Sequence, residues 1–151
     1  MAKEEKRTPG QILLRLACLV YGALMIWLLF GQRMGTGVYG QQADSINLIP
    51  LKTIRMYISM AKNSDSAYLF RHAVVNLVGN VVMFVPLGFF LPYIARRLRS
   101  FWKTVLCALV LILAIETIQY FTLLGACDVD DLILNLAGVI LGYISWKILR
   151  Q

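Results

Sequence analysis

The side chains of this sequence that could do chemistry are few, and most of them interrupt apolar runs. Glu116 breaks a run from Phe101 to Leu124, and Gln119 and Tyr120 follow it on the same helical face. Asp128, Asp131 and Asn135 are spaced three and four apart, so on a helix they descend one face. Asn76 and Asn80 are four apart in another apolar run, where His72, Gly79 and Met83 share their side. Glu116, Asp128 and Asp131 are the candidates for general acid/base work or for holding a hard cation such as Mg²⁺ or Ca²⁺. The amides Asn76, Asn80, Gln119 and Asn135 suit binding, or hydrogen bonding between helices. The chain has 1 histidine, with no serine or cysteine nucleophile beside a plausible base and none of the common catalytic motifs. One histidine among scattered acids is a weak metal signal, so neither a metal site nor a cofactor is expected.

These residues are expensive in their setting. In 151 residues, 59% are hydrophobic, 15% are charged, and the mean hydropathy is +0.68. A soluble core of that size cannot hide so much apolar surface, so lipid must cover the excess. A helix needs about 20 mainly apolar residues to cross the hydrocarbon. Such windows fall at Ile12–Phe30, Tyr68–Tyr93, Phe101–Leu124 and Asp131–Leu149. The expected fold is an all-α polytopic membrane protein with four spans in a single domain. The first window follows Lys3, Lys6 and Arg7 like a signal peptide, but no small-x-small cleavage site follows Phe30, so it counts as a span.

The formal net charge is +7, yet no nucleic-acid-binding signature accompanies it and no nucleic-acid partner is expected. The basic residues lie beside apolar segments, where they set topology and meet anionic headgroups. The short cluster Arg96, Arg97, Arg99 and Lys103 puts that side, and with it both termini, in the cytoplasm. Tyr93, Phe101, Trp102 and Trp146 then form an aromatic belt. The three cysteines imply no disulfide framework.

The loop after Gly31 opens with a Gly-rich piece through Gly40. Its second half carries Leu51, Ile54, Ile58 and Ala61 at helical spacing, with Lys52, Arg55, Ser59 and Lys62 one residue later. Residues 50–62 are therefore expected to form an amphipathic helix on the outer membrane surface, opened by Pro50 and ended by Asn63-Ser64-Asp65-Ser66. Packing of this helix onto the spans is the alternative.

At about 1.5 Å per residue, Asn80, Glu116 and Asn76 lie roughly 20, 22 and 26 Å above the inner belt. Asp128, Asp131 and Asn135 descend toward the same layer. Turned inward, these faces line an outward-opening polar pocket, with Arg55 and Arg71 as basic groups for an anion. Asn76, Asn80, Glu116, Gln119, Asp128, Asp131, Asn135, Arg55 and Arg71 form the candidate binding set. The plainer reading, helices glued by amides, suits the amides and fits Glu116 poorly. Asp128 is also placed to cap the last helix, and Asp130 is expected to face solvent beside Asp131. Gly79, and Gly138 with Gly142, are expected to permit close helix contact, while Pro86 and Gly88 bend the second span.

Four blocks carry a resemblance: Asn47-Leu48-Ile49-Pro50; the run from Asn76 through Gly79, Asn80, Phe84 and Pro86 to Gly88-Phe89; Glu116-Thr117-Ile118-Gln119; and Asp128 through Asp130, Asp131 and Asn135 to Gly138. In that order they resemble the VanZ-like family of bacterial membrane proteins, named for a member associated with low-level teicoplanin resistance. The resemblance implies a bacterial cytoplasmic membrane and a role in envelope protection. Membrane lipids are the expected partners, with a lipid-linked cell-wall precursor or a lipoglycopeptide as the specific ligand. It implies no defined reaction. The family commonly has an arginine shortly before the Asp-x-Asp-Asp block, where this chain has Leu124-Gly125-Ala126-Cys127; Arg71 or Arg55 is the expected substitute.

Overall fold

A computed structural model describes residues 9–31, 46–125 and 127–150. Lys3, Lys6, Arg7, Arg33 and nearly all of the Gly-rich piece lie outside them. The chain divides at residues 37/38 into two units.

In the first unit, helix α1 (Pro9–Ile26) runs into a π-helical turn at Trp27–Gly31. Proline suits the first helical position, where its missing N–H is no loss. The stretch of 23 residues is long enough to cross a membrane. Apart from Gln11 and Arg15 it is apolar on every face, and Met25 is its one buried residue, so lipid must solvate most of the rest.

The second unit holds α2 (Lys52–Asn63), α3 (Ala67–Ile94), α4 (Phe101–Phe121) and α5 (Val129–Leu149). With α1, helices α3, α4 and α5 make four of membrane length and composition. The fold is therefore all-α and polytopic, with four spans, and α2 is a shorter amphipathic helix between the first two. A 3₁₀ turn, Arg96–Leu98, joins α3 to α4. Two-residue strands β1 (Ile46–Asn47) and β2 (Cys127–Asp128) pair in parallel, Asn47 opposite Asp128.

Helices α3 and α5 are joined backbone to backbone. A Cβ on Gly138 would overlap the Val81 carbonyl, one on Gly142 the Val85 carbonyl, and one on Gly88 the Val139 carbonyl. The Val81–Gly138 and Val85–Gly142 contacts advance together along both helices, so α3 and α5 run parallel, and glycine is needed at each of these three points. Without hydrophobic drive between helices in lipid, such close packing is what binds spans together. Phe84, Phe90, Val139, Tyr143 and Trp146 are buried around the seam. Gly88 thus serves contact, and α3 continues as a helix through Pro86 and Pro92. Gly79, expected in a contact, has open space where a Cβ would stand.

Helix α2 packs on α3 and α5. Its basic residues Lys52, Arg55 and Lys62 are exposed, while Thr53, Ile54, Tyr57 and Ala61 are half-buried. Ile58, expected on the apolar face, is exposed. The Tyr57 ring meets His72 of α3 at 5.8 Å.

Pro50 does not open α2. Leu51 intervenes with φ 65°, a left-handed conformation that a leucine adopts only at a cost. At the far end of α4, Leu123 is likewise left-handed, with φ 57°. The Leu124 and Gly125 amides return to the Gln119 carbonyl at 2.9 and 3.2 Å, closing the helix before β2.

Candidate functional site

The head of α5 is where residues distant in sequence meet. Asp128 is the N-cap of α5, and its Oδ1 accepts from the Asp130 amide at 2.9 Å. The same oxygen accepts from Asn47 Nδ2 at 3.0 Å, and Oδ2 accepts from the Thr53 hydroxyl at 2.6 Å. Asn47 Nδ2 also donates to Thr53 Oγ1 at 3.0 Å, so three side chains from β1, α2 and β2 close a ring.

Asp130 does not face solvent. It is 0% exposed, and its carboxylate receives three backbone amides at the start of α2: Leu51 at 2.5 Å, Thr53 at 2.7 Å and Ile54 at 3.0 Å. Helix α2 has no side-chain cap of its own, because leucine stands at its N-cap. Asp130 supplies that cap from another helix, 79 residues later in sequence for Leu51. Its charge faces the positive end of the α2 dipole and satisfies amides that α2 cannot pair internally. The left-handed Leu51 helps to turn these N–H groups toward one carboxylate.

Below this clamp lies a polar layer. Asn80 Nδ2 donates to Asp131 Oδ1 at 2.7 Å, joining α3 to α5. Asn135, one turn below Asp131, is 4% exposed, and its Oδ1 has no hydrogen-bond partner among the described residues. On α4, Glu116 and Gln119 are buried. Glu116 lies about 8 Å below the end of α4 and Asn135 about 9 Å below the head of α5, so they share a depth. Burial pushes the Cys127 thiol pKa up, and the charges of Glu116 and Asp128 add to the effect, which places Glu116 within electrostatic reach of β2.

The structure thus draws Asn80, Asp131, Asn135, Glu116 and Gln119 into the interior. Asn76 is half-buried, and its amide turns back to the His72 carbonyl at 2.8 Å. Arg55 and Arg71 are exposed, with no side-chain hydrogen bond or ion pair to another described residue. Asp128 and Asp130 are instead met by neutral donors: Asn47, Thr53 and backbone amides. Asn47, Thr53 and Asp130 were absent from the expected site. The available signal was Asn47 in the first of the four resembling blocks, 81 residues from the aspartate it holds.

Comparison with known proteins identifies the family of this chain. The model of the VanZ/LLP1 family matches residues 17–150. Protein VanZ of Enterococcus faecium is 29% identical over 135 residues, covering 88% of this chain and 73% of that protein. No solved structure matches. The residues at the clamp, Asn47, Asp128 and Asp130, and the seam glycines Gly88, Gly138 and Gly142 all fall within the matched span, and the chain belongs to the VanZ/LLP1 family.

Proposed function

We propose that the protein binds an anionic lipid or lipid-linked envelope intermediate at the α2 end of the bundle, in the outer leaflet of a bacterial cytoplasmic membrane. In this reading both termini are cytoplasmic and the whole chain acts as one domain. The observation that carries it is the buried, unpartnered Asn135 Oδ1 in a layer with Glu116 and Gln119. A buried acceptor left unpaired costs about 1–3 kcal/mol, a cost that a hydroxyl or amide N–H of a bound headgroup would remove. The exposed Arg55 and Arg71 suit the phosphate of the same molecule. Both Asp128 oxygens accept hydrogen bonds within the clamp, which supports a structural role for that carboxylate in the binding site.

The resemblance to VanZ extends the reading to lowered susceptibility to glycopeptides such as teicoplanin. The test is native mass spectrometry of detergent-purified protein mixed with phospholipids and polyprenyl-linked precursors. Wild type should retain one class selectively, and Glu116→Gln, Asn135→Leu or Arg55→Glu/Arg71→Glu should lose it. Equal retention by all four proteins would refute the proposal.

A further inference from the structure

The opposite end of the bundle holds a second feature that the clamp does not use. A cleft of about 650 Å³ is bordered by Arg97 and Leu98 of the 3₁₀ turn and by one face of α4. On α4 the lining residues are Lys103, Leu106, Cys107, Val110 and Leu111, spaced so that they form a continuous stripe. The stripe runs about 12 Å from the cation inward. Its wall is apolar, and Leu106 and Val110 are 62% and 60% exposed, so the cleft opens sideways to lipid.

Among the described residues, the mouth of this cleft is cationic, with no acidic side chain among those that line it. No aspartate or glutamate occurs from residue 66 to 115, or after Asp131. Arg97, in the turn, and Lys103, in the first turn of α4, are both exposed. Crowding is a further sign of excess positive charge: Arg99, outside the cleft, has its pKa lowered by desolvation and then by the neighbouring Arg150 and Arg96. Trp102, 75% exposed beside Lys103, is the side chain that settles at the headgroup level. That level brings both cations to phosphate depth, while the stripe below lies at acyl depth.

We infer that this cleft is a binding site for one anionic phospholipid, its phosphate between Arg97 and Lys103 and an acyl chain along Leu106, Val110 and Leu111. The site shares no residue with the α2 end and stands independently of the function proposed there.

The experiment incubates detergent-solubilised protein with equimolar dioleoylphosphatidylglycerol and dioleoylphosphatidylcholine and reads bound lipid by native mass spectrometry. Two cations at headgroup depth correspond to roughly a thirty-fold preference for the anionic lipid. Arg97→Gln/Lys103→Gln should bring that preference to about one. Val110→Trp, which keeps both charges and fills the stripe, should lose the retained lipid as well. Arg96→Gln/Arg150→Gln removes equal charge outside the cleft and should keep the preference. Thermal unfolding confirms that each variant is folded. No preference in the wild type, or equal loss in the Arg96/Arg150 variant, would overturn the assignment.

Discussion

Helix α5 is held twice, by opposite means. Along its middle, Gly138 and Gly142 lie against the backbone of α3, with no side chain between. At its head, Asp128 and Asp130 hold β1 and α2 through five hydrogen bonds from Asn47, Thr53 and the amides of Leu51, Thr53 and Ile54. The seam depends on shape, because lipid is as apolar as leucine and gives helices no hydrophobic reason to meet. The clamp depends on charge, because the start of α2 presents amides that nothing in its own sequence can cap. The seam joins spans permanently. The clamp fixes the start of a short amphipathic helix whose half-buried face also packs on α3.

The largest effects should come from the seam. Gly142→Leu places a side chain where the Val85 carbonyl stands, and no rotamer can avoid the overlap of its Cβ. Overpacking alone costs about 1–3 kcal/mol in compliant cores, and here the obstacle is backbone. The variant should leave no monodisperse protein on size exclusion in detergent. Gly79→Ala, where the space is open, should instead raise the unfolding temperature, since alanine is favoured over glycine in a helix by about 1 kcal/mol.

The clamp should fail locally. Asp130→Ala removes the acceptor of three amides, and bonds to a charged group contribute about 1.5–3 kcal/mol each, less whatever water restores. Hydrogen exchange should accelerate at least ten-fold at Leu51, Thr53 and Ile54, while the amides of α3 and α5 along the seam keep their protection. Exchange rising equally in both regions would show that the clamp holds the whole bundle and that the contrast drawn here is false.

The two regions were unequally legible in the sequence. Hydropathy placed the spans, because a lipid-facing helix must be apolar over its whole length. The window expected at 101–124 ended at Phe121 because Leu123 takes a left-handed turn, which no leucine advertises. Periodicity placed α2 within two residues at its start and one at its end. Of its expected apolar face, Ile54 and Ala61 are half-buried while Ile58 is exposed, as a residue facing lipid would be. Gly138 and Gly142 announced the seam by their spacing, while Gly79 shows that a glycine beside polar residues need not mark a contact. The clamp was the least legible. Asp130 lies off the face shared by Asp128, Asp131 and Asn135, so helical spacing alone sent it to solvent. Its partners are amides of a segment nearly eighty residues earlier, and a backbone N–H has no sequence signal.

Cys127 gives a smaller effect that reports on the charges beneath the clamp. Burial, Glu116 and Asp128 each raise its pKa, so at a given pH less thiolate is present than for a free cysteine. With Cys18 and Cys107 replaced by serine, the alkylation rate should rise with a midpoint above the ordinary value of about 8.5. Glu116→Gln should move that midpoint down and raise the rate at pH 8 a few-fold. An unchanged profile would mean that Glu116 carries no charge felt at β2.

The smallest effect separates what the clamp gains from what it strains. Leu51 holds φ 65°, which costs an L-residue roughly 1–2 kcal/mol and costs glycine little. Its side chain is 41% exposed, so truncation forfeits only part of its burial. Leu51→Gly should therefore leave the amides aimed at Asp130 and change the stability of α2 by less than about 1 kcal/mol, even as it removes a whole leucine side chain. Leu51→Pro should release α2 as Asp130→Ala does, because proline cannot adopt positive φ and has no N–H to give. If glycine and proline were equally damaging by hydrogen exchange, the leucine side chain would be the anchor and the left-handed turn incidental. If only proline is damaging, the backbone holds α2, and the leucine at that turn can be replaced.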